Sequence, residues 1–188
     1  MAGPPLRTAR LVLRAWREED LAPLAALSAD PQVMDWLMGP IDRAASDAIA
    51  ARQQTRLAED GFCFWAIEAP GVADFIGLAG LARVWAEAPF APAVEIAWRL
   101  ARPYWGQGYA TEAAQAALAD GFERLGFDEV VAVTGRANRR SLAVMERLGM
   151  RRDEAGDFEH PRLPEGHRLR PHVLCRLPRE IWMAGQRI

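Results

Sequence analysis

The 188-residue chain has the length of one ordinary globular domain, and 51% of its residues are hydrophobic, which is enough to form a sizeable core. Its formal net charge of -2 at pH 7 argues against the basic surface that drives binding to nucleic acid or anionic membranes. Every cationic side chain is arginine, because the sequence contains no lysine. The two cysteines are too far apart to indicate a zinc site, and no signal-peptide stretch opens the sequence, so we expect a cytoplasmic protein.

The apolar pattern alternates between strand and helix periods, which predicts a mixed α/β fold with one strand–helix–strand crossover. We expect a single domain over residues 6–178, with terminal extensions at 1–5 and 179–188. The predicted elements are a strand at 9–16, helices within 17–30 and from the cap Asp42 to 60, strands at 62–69, 74–85 and 93–101, a helix at 109–125, a strand at 128–136, a helix at 137–150, and strands near 150–159 and 171–177.

The segment "YWGQGYATEA" joins a predicted strand to a predicted helix through Gly106 and Gly108. Glycines let the backbone approach a ligand closely, and the first amides of a helix have no intrahelical acceptors, so this junction suits a phosphate. A nucleoside-triphosphate loop requires a lysine, which the chain lacks. A dinucleotide fingerprint places glycine or alanine where Thr111 stands, so the spacing does not favour that ligand either.

The same segment resembles the acetyl-coenzyme A loop of the GNAT superfamily of N-acyltransferases, Gln/Arg-x-x-Gly-x-Gly/Ala, and is especially similar to the branch of ribosomal-protein N-terminal acetyltransferases. Pro103 occupies the Gln/Arg position. "NRRSLAVMERLGM" resembles the family's Asn-x-x-Ser/Ala helix, and "LRTARLVLRAWREEDL" its first strand and helix. The likeness runs from Leu6 to Leu177 and agrees with the predicted order of elements.

The resemblance implies a central mixed, mostly antiparallel sheet of about seven strands flanked by helices. It also implies acetyl-CoA as co-substrate, no metal, and an amine acceptor that is either a peptide N-terminus or a small molecule. No nucleic-acid or membrane partner is expected, and a homodimer is allowed. The residues expected to contact the cofactor are Trp98, Leu100, Trp105, Gly106, Gln107, Gly108, Tyr109, Ala110, Asn138 and Ser141.

Acyl transfer to an amine requires a base, an oxyanion donor and help for the leaving thiolate. Glu95 is the first candidate base, because it begins the strand before the glycine turn and alternates with apolar residues, and Glu68 is the second. The resemblance implies a backbone N–H near Leu100 as the oxyanion donor. Many family members place a tyrosine acid where Met145 stands here, so that role passes to Ser141 or to solvent.

Several residues have ordinary structural roles as alternatives. Asn138 is also a predicted helix cap, and Arg136, Arg139 and Arg140 reach either phosphates or solvent. His160 and His172, and Trp36, Trp85 and Trp105, line the acceptor side or simply pack. The alternative functions are an aminoglycoside- or polyamine-type acetyltransferase and a non-catalytic acyl-CoA-binding module, the latter motivated by Met145 and Pro103.

Overall fold

Eight strands and six α-helices make up the described chain, which a computed structural model covers over residues 3–185. The strands are β1 (Leu6–Arg7), β2 (Val12–Arg14), β3 (Phe64–Ala69), β4 (Ala73–Arg83), β5 (Val94–Leu100), β6 (Glu129–Gly135), β7 (Arg151–Glu159) and β8 (Pro171–Pro178). The helices are α1 (Leu21–Ala29), α2 (Pro31–Met34), α3 (Arg43–Asp60), α4 (Tyr109–Ala119), α5 (Arg139–Arg147) and α6 (Arg179–Gly185).

The strands form one mostly antiparallel sheet in the order β1-β2-β3-β4-β5-β6-β8-β7. β5 and β6 pair parallel, with Glu95 opposite Val131, and α4 lies between them in the chain as the crossover. The predicted mixed α/β sheet with helices around it is confirmed. The predicted count of about seven strands is low by one.

The additional strand is β1, which lies before the first predicted strand, and the prediction at 9–16 is wrong in extent because only β2 is a strand there. The chain turns at residues 8–11 instead, and β1 and β2 pair antiparallel on either side. Thr8 stabilises this turn, because its amide donates to the carbonyl of Leu11 at 3.0 Å and its hydroxyl accepts from the Leu11 amide at 2.8 Å. A hydroxyl that satisfies a turn amide competes with the strand ladder.

The fold divides into two compact units, and the first comprises residues up to Ala82 together with Ala97–Leu118. Its core cluster contains Trp16, Leu24, Leu27, Val33, Ala50, Ala66, Phe75 and Leu78. Beside this core the Arg14 guanidinium donates to both carboxylate oxygens of Asp20, at 2.7 and 2.8 Å, and to Glu68 at 2.8 Å. Both carboxylates therefore neutralise a buried arginine.

The second unit comprises Arg83–Ile96 and the chain from Ala119 onward. The helix predicted at 109–125 is α-helical only to Ala119 and continues as a π-helical turn, Asp120–Arg124. The sequence did not predict α6, whose buried Trp182 lies 5.9 Å from the Phe122 ring, centroid to centroid. Residues 1–2 and 186–188 of the expected terminal extensions lie outside the described residues.

No helix within residues 3–185 combines the length and the apolar character needed to cross a bilayer.

Candidate active site

The glycine turn before α4 has an accessible backbone. Gly106 and Gly108 both have positive φ, 74° and 82°, which other residues adopt only with strain. The first α4 bond runs from the amide of Glu112 to the carbonyl of Gly108 at 3.0 Å, so the earlier amides of this turn have no i−4 acceptor within the helix. The Gln107 side chain donates to the Pro103 carbonyl at 2.8 Å, which closes the turn. The turn can therefore receive an anion on preformed N–H groups.

A network that the sequence analysis missed braces this turn. Glu112, in the first turn of α4, accepts from the Thr8 hydroxyl at 2.6 Å and from Nε and the backbone amide of Arg10 at 2.6 and 2.9 Å. Arg10 also donates to the Gln107 carbonyl at 2.9 Å and stacks on the Tyr109 ring, 4.6 Å from its centroid. About a hundred residues separate the partners, so no local signal in the sequence could have linked them.

This network sets the charge of the turn. Burial alone would raise the pKa of Glu112, but the hydrogen bonds from Thr8 and Arg10 lower it overall, so the carboxylate is ionised at neutral pH. A negative charge in the first turn of a helix is favourable for the helix and unfavourable for an anionic ligand. Arg10 neutralises that charge, and the turn remains suitable for a phosphate.

The end of β5 is fixed within the first unit by close backbone contacts. Trp105 Nε1 donates to the Leu100 carbonyl at 2.7 Å, and the Ala101 amide donates to the Ile76 carbonyl at 2.9 Å. Gly77, with φ of 149°, has no room for a Cβ, which would lie 2.8 Å from Leu100 Cα and collide with the Arg99 carbonyl. Leu100 itself is buried and Trp98 partly so.

The Asn138 side chain caps α5 in the second unit. The Asn138 side chain accepts from the Ser141 amide at 3.3 Å, so the predicted cap is present. Its amide nitrogen donates to Thr134 Oγ1 at 2.9 Å and to Ser141 Oγ at 3.1 Å. Because Ser141 Oγ accepts that bond, its own proton is left to point elsewhere, toward a ligand or water. Met145, one turn further, is buried to 2% exposure.

The two candidate bases differ in their surroundings. Glu68 accepts from Arg14, and Arg17 lies 3.5 Å from the same oxygen. Glu95 is partly buried on β5, on the strand face opposite Val94 and Ile96.

The family follows from comparison with known proteins. The model described as an acetyltransferase (GNAT) domain matches residues 10–151. The chain belongs to the GNAT family. It is therefore an acyl-CoA-dependent N-acetyltransferase, which transfers the acetyl group of acetyl-CoA to an amine. The predicted enzyme class is confirmed, and the non-catalytic binding module is not supported.

Two relatives cover most of this acetyltransferase. YkkB of Bacillus subtilis is 32% identical over 150 residues, which span 79% of this chain and 86% of YkkB. The FsC-acetyl coenzyme A-N(2)-transacetylase of Aspergillus fumigatus is 32% identical over 199 residues, 99% of this chain and 81% of that protein.

Solved structures agree on the fold. A GNAT acetyltransferase from Bacillus anthracis superposes with a TM-score of 0.78 at 23% identity, over 94% of this chain and 99% of that one. RimL, a ribosomal alpha-N-protein acetyltransferase solved with coenzyme A, gives 0.73 at 17% identity, over 93% and 98% of the two chains. The ribosomal-protein branch stays a prediction, because so distant a likeness shows the fold alone.

Two histidine candidates lie in the second unit, whereas Trp36 lies in the first. The rings of His160 and His172 lie 5.0 Å apart, and Trp85 and Phe158 pack on them. Burial lowers the pKa of both histidines, and for His160 the neighbouring His172 and Arg162 lower it further. The two rings are therefore neutral at pH 7.

Two further features concern charge. Arg136 lies 3.3 Å from Asp157, so it is part of a surface ion pair. Residues 3–185 contain no cluster of three or more histidine, cysteine or acidic side chains that could hold a metal ion.

Proposed function

We propose that this acetyltransferase acylates a primary amine, of a protein N-terminus or of a small molecule, by direct attack on acetyl-CoA in a ternary complex. The observation that carries the proposal is the preformed turn at Gly106–Tyr109, whose amides precede the first α4 hydrogen bond and whose backbone Arg10 and Gln107 hold in place. A pyrophosphate bound there accepts hydrogen bonds from the backbone amides of Gly106 to Ala110, and the partly exposed turn leaves it room. The predicted contribution of the Trp105 amide is not expected, because that amide donates to the Arg102 carbonyl at 3.1 Å.

Glu95 is the proposed base. An aliphatic amine has a pKa of ~10 and an α-amino group one of ~8, so both are mostly protonated at neutral pH and the reaction requires removal of a proton before or during attack. Glu95 accepts that proton, directly or through a water molecule. Glu68, which pairs with Arg14 and Arg17, stays the second candidate.

The amine nitrogen then forms a bond to the thioester carbonyl carbon, and the carbon–sulfur bond breaks as coenzyme A thiolate leaves. A backbone N–H near Leu100 stabilises the oxyanion that develops between these events. Asn138 binds the pantetheine arm, and the Ser141 hydroxyl donates to the departing sulfur. Support for Ser141 comes from its geometry, since Asn138 donates to Ser141 Oγ and leaves the hydroxyl proton available. The thiolate needs only modest help, because a thiol has a pKa of ~8.5.

The test uses Glu95→Gln with Glu123→Gln as the matched control, since Glu123 is an exposed acid of the π-helical turn. Coenzyme A release is measured against N-terminal peptides, polyamines and aminoglycosides, and acetyl-CoA binding by calorimetry. We expect Glu95→Gln to lower kcat by roughly 10²- to 10⁴-fold without changing the Kd for acetyl-CoA. Glu123→Gln should behave as the wild type. Equal kcat in the two variants would remove Glu95 from the mechanism, and parallel initial-rate lines would contradict direct attack.

A further inference from the structure

Arg99 is held in an unusual environment for a guanidinium. It lies on β5, where Glu95, Ala97 and Arg99 alternate with the more apolar face. Its Nη1 donates to the sulfur of Met34 at 3.2 Å. Met34 is itself buried to 3% exposure at the end of α2. A thioether is a weak acceptor that brings no negative charge.

No carboxylate of residues 3–185 lies within ion-pair distance of Arg99. The contrast with its neighbours in the first unit is clear. Arg14 is neutralised by Asp20 and Glu68, and Arg102 lies 3.2 Å from Asp30. Arg99 alone of these three lacks an anion in the described structure.

The Arg99 side chain is largely removed from water but is not completely buried. Burial lowers the pKa of Arg99 to about 10, so the guanidinium is still protonated at neutral pH. Part of its surface nevertheless remains accessible. An unpaired charge removed from water is costly, and the usual compensation is a partner of opposite charge. Here such a partner can arrive from solution.

The supporting elements hold this site in a fixed geometry. Gly77 allows β4 to contact the backbone of Arg99 closely. Asp30 caps α2 by accepting from the Gln32 amide at 2.8 Å, and Arg102 donates to the Gln32 side chain at 3.0 Å. Strand and short helix are thus joined next to the guanidinium, and a binding group on such elements is preorganised.

We propose that Arg99 binds a carboxylate carried by the amine acceptor, so that the preferred substrates are small amines with their own carboxylate group. The proposal rests on the proposed function. A planar guanidinium with free donors matches a carboxylate in a bidentate manner. The position of Arg99 on β5 supports the acceptor as the source, because Arg99 directly precedes Leu100, near which the proposed oxyanion donor lies. The cofactor phosphates are a less suitable ligand for Arg99, because the glycine turn before α4 is their proposed binding site.

The experiment compares matched acceptors that differ only in charge, namely amino acids and their carboxamides. The variants are Arg99→Met, Arg99→Lys and the control Arg43→Met, which removes an exposed arginine of the first unit that Asp47 neutralises. We measure kcat/KM by coenzyme A release, binding of each compound by calorimetry without acetyl-CoA, and the Kd for acetyl-CoA. Thermal unfolding checks the fold, and we expect Arg99→Met to be at least as stable as the wild type, because it removes an uncompensated charge.

We expect the wild type and Arg43→Met to prefer carboxylates over carboxamides by roughly 10- to 100-fold. Arg99→Met should abolish this preference by losing affinity for the carboxylate, Arg99→Lys should retain part of it, and both should bind acetyl-CoA as before. An undiminished preference in Arg99→Met, or no preference in the wild type, would overturn the proposal. Weaker acetyl-CoA binding by Arg99→Met would identify a cofactor phosphate as the anion instead.

The binding arm separates this proposal from the proposed function. If no compound is acetylated but carboxylates still bind through Arg99, the anion site stands and the proposed chemistry fails. If neither turnover nor carboxylate binding occurs with any compound, the anion site at Arg99 is refuted. The measured Kd for acetyl-CoA then still tests whether the glycine turn binds the cofactor.

Discussion

Replacing Glu112 with glutamine tests whether the network behind the glycine turn organises the cofactor site. The carboxylate accepts from Thr8 once and from Arg10 through Nε and the backbone amide. Glutamine keeps the size of the side chain but removes its charge and one acceptor oxygen. Hydrogen bonds to charged groups contribute about 1.5–3 kcal/mol each, and the 47% exposure of the Arg10 side chain reduces this. We expect a loss of roughly 1–2 kcal/mol in the free energy of unfolding.

The affinity for acetyl-CoA should also fall in Glu112→Gln. In the variant, binding must order a turn that Glu112 orders in the wild type, so we expect the Kd to rise by roughly 5- to 30-fold. Urea unfolding and calorimetry measure the two effects. Asp47→Asn is the matched control, because it removes a carboxylate from an exposed i,i+4 pair with Arg43 on α3. It should cost less than about 0.5 kcal/mol and leave acetyl-CoA binding unchanged.

The pH dependence of the stability difference tests whether the charge of Glu112 is the cause. The folded state lowers the pKa of Glu112 below its ordinary value of 4.5, so its contribution is present above that pH and is lost as the pH falls through the folded pKa. The difference in stability between wild type and Glu112→Gln should therefore stay constant from pH 8 to about 5 and shrink below about 4.5. A difference that persists unchanged in acid would show that the charge of Glu112 is not the cause.

Four further outcomes are expected. Asn138→Ala should lower the free energy of unfolding, measured by thermal unfolding, by ~1 kcal/mol and weaken acetyl-CoA binding. Asn138→Asp should keep the helix cap and the stability but still bind acetyl-CoA more weakly. Gly77→Ala should destabilise the protein in urea by more than about 2 kcal/mol, because a Cβ there meets backbone of β5, while Gly185→Ala should be neutral. Gly108→Val should raise the Kd for acetyl-CoA in calorimetry, because φ is 82° and a Cβ lies 3.3 Å from Arg10 Nη2. Since burial lowers the pKa of His160 and His172, stability should fall as the pH drops below 6.5, and His172→Phe should lessen that fall in thermal unfolding.

Local signals predicted most of the fold because their causes are local. Asp42 caps α3 by accepting from the Ala45 amide at 2.8 Å, and Gly61 ends that helix with φ of 78°. Asn138 caps α5 in the same way. The glycine turn was likewise visible, since two glycines before a helix have few other uses.

Features that depend on distant partners were not predictable. Thr8, in the turn between β1 and β2, donates to Glu112, yet 104 residues separate the two. In the sequence Arg14 is one polar residue of an alternating strand pattern. Only the fold shows that it donates to both Asp20 and Glu68. Arg99 is conspicuous for the opposite reason, because a sequence cannot reveal that a charge lacks a partner.

The ion pairs described above all use arginine, and this has a consequence for a protein that works with an activated thioester. Acetyl-CoA also acetylates accessible lysine side chains without an enzyme, and each such event abolishes a positive charge. A guanidinium stays protonated and is not a nucleophile at neutral pH, so pairs such as Arg14 with Asp20 are chemically inert toward the reagent. No side chain among these 188 residues offers an amine. Incubation with excess reagent should therefore leave the side-chain charges unchanged, and acetylated lysine in a reaction mixture must come from the acceptor.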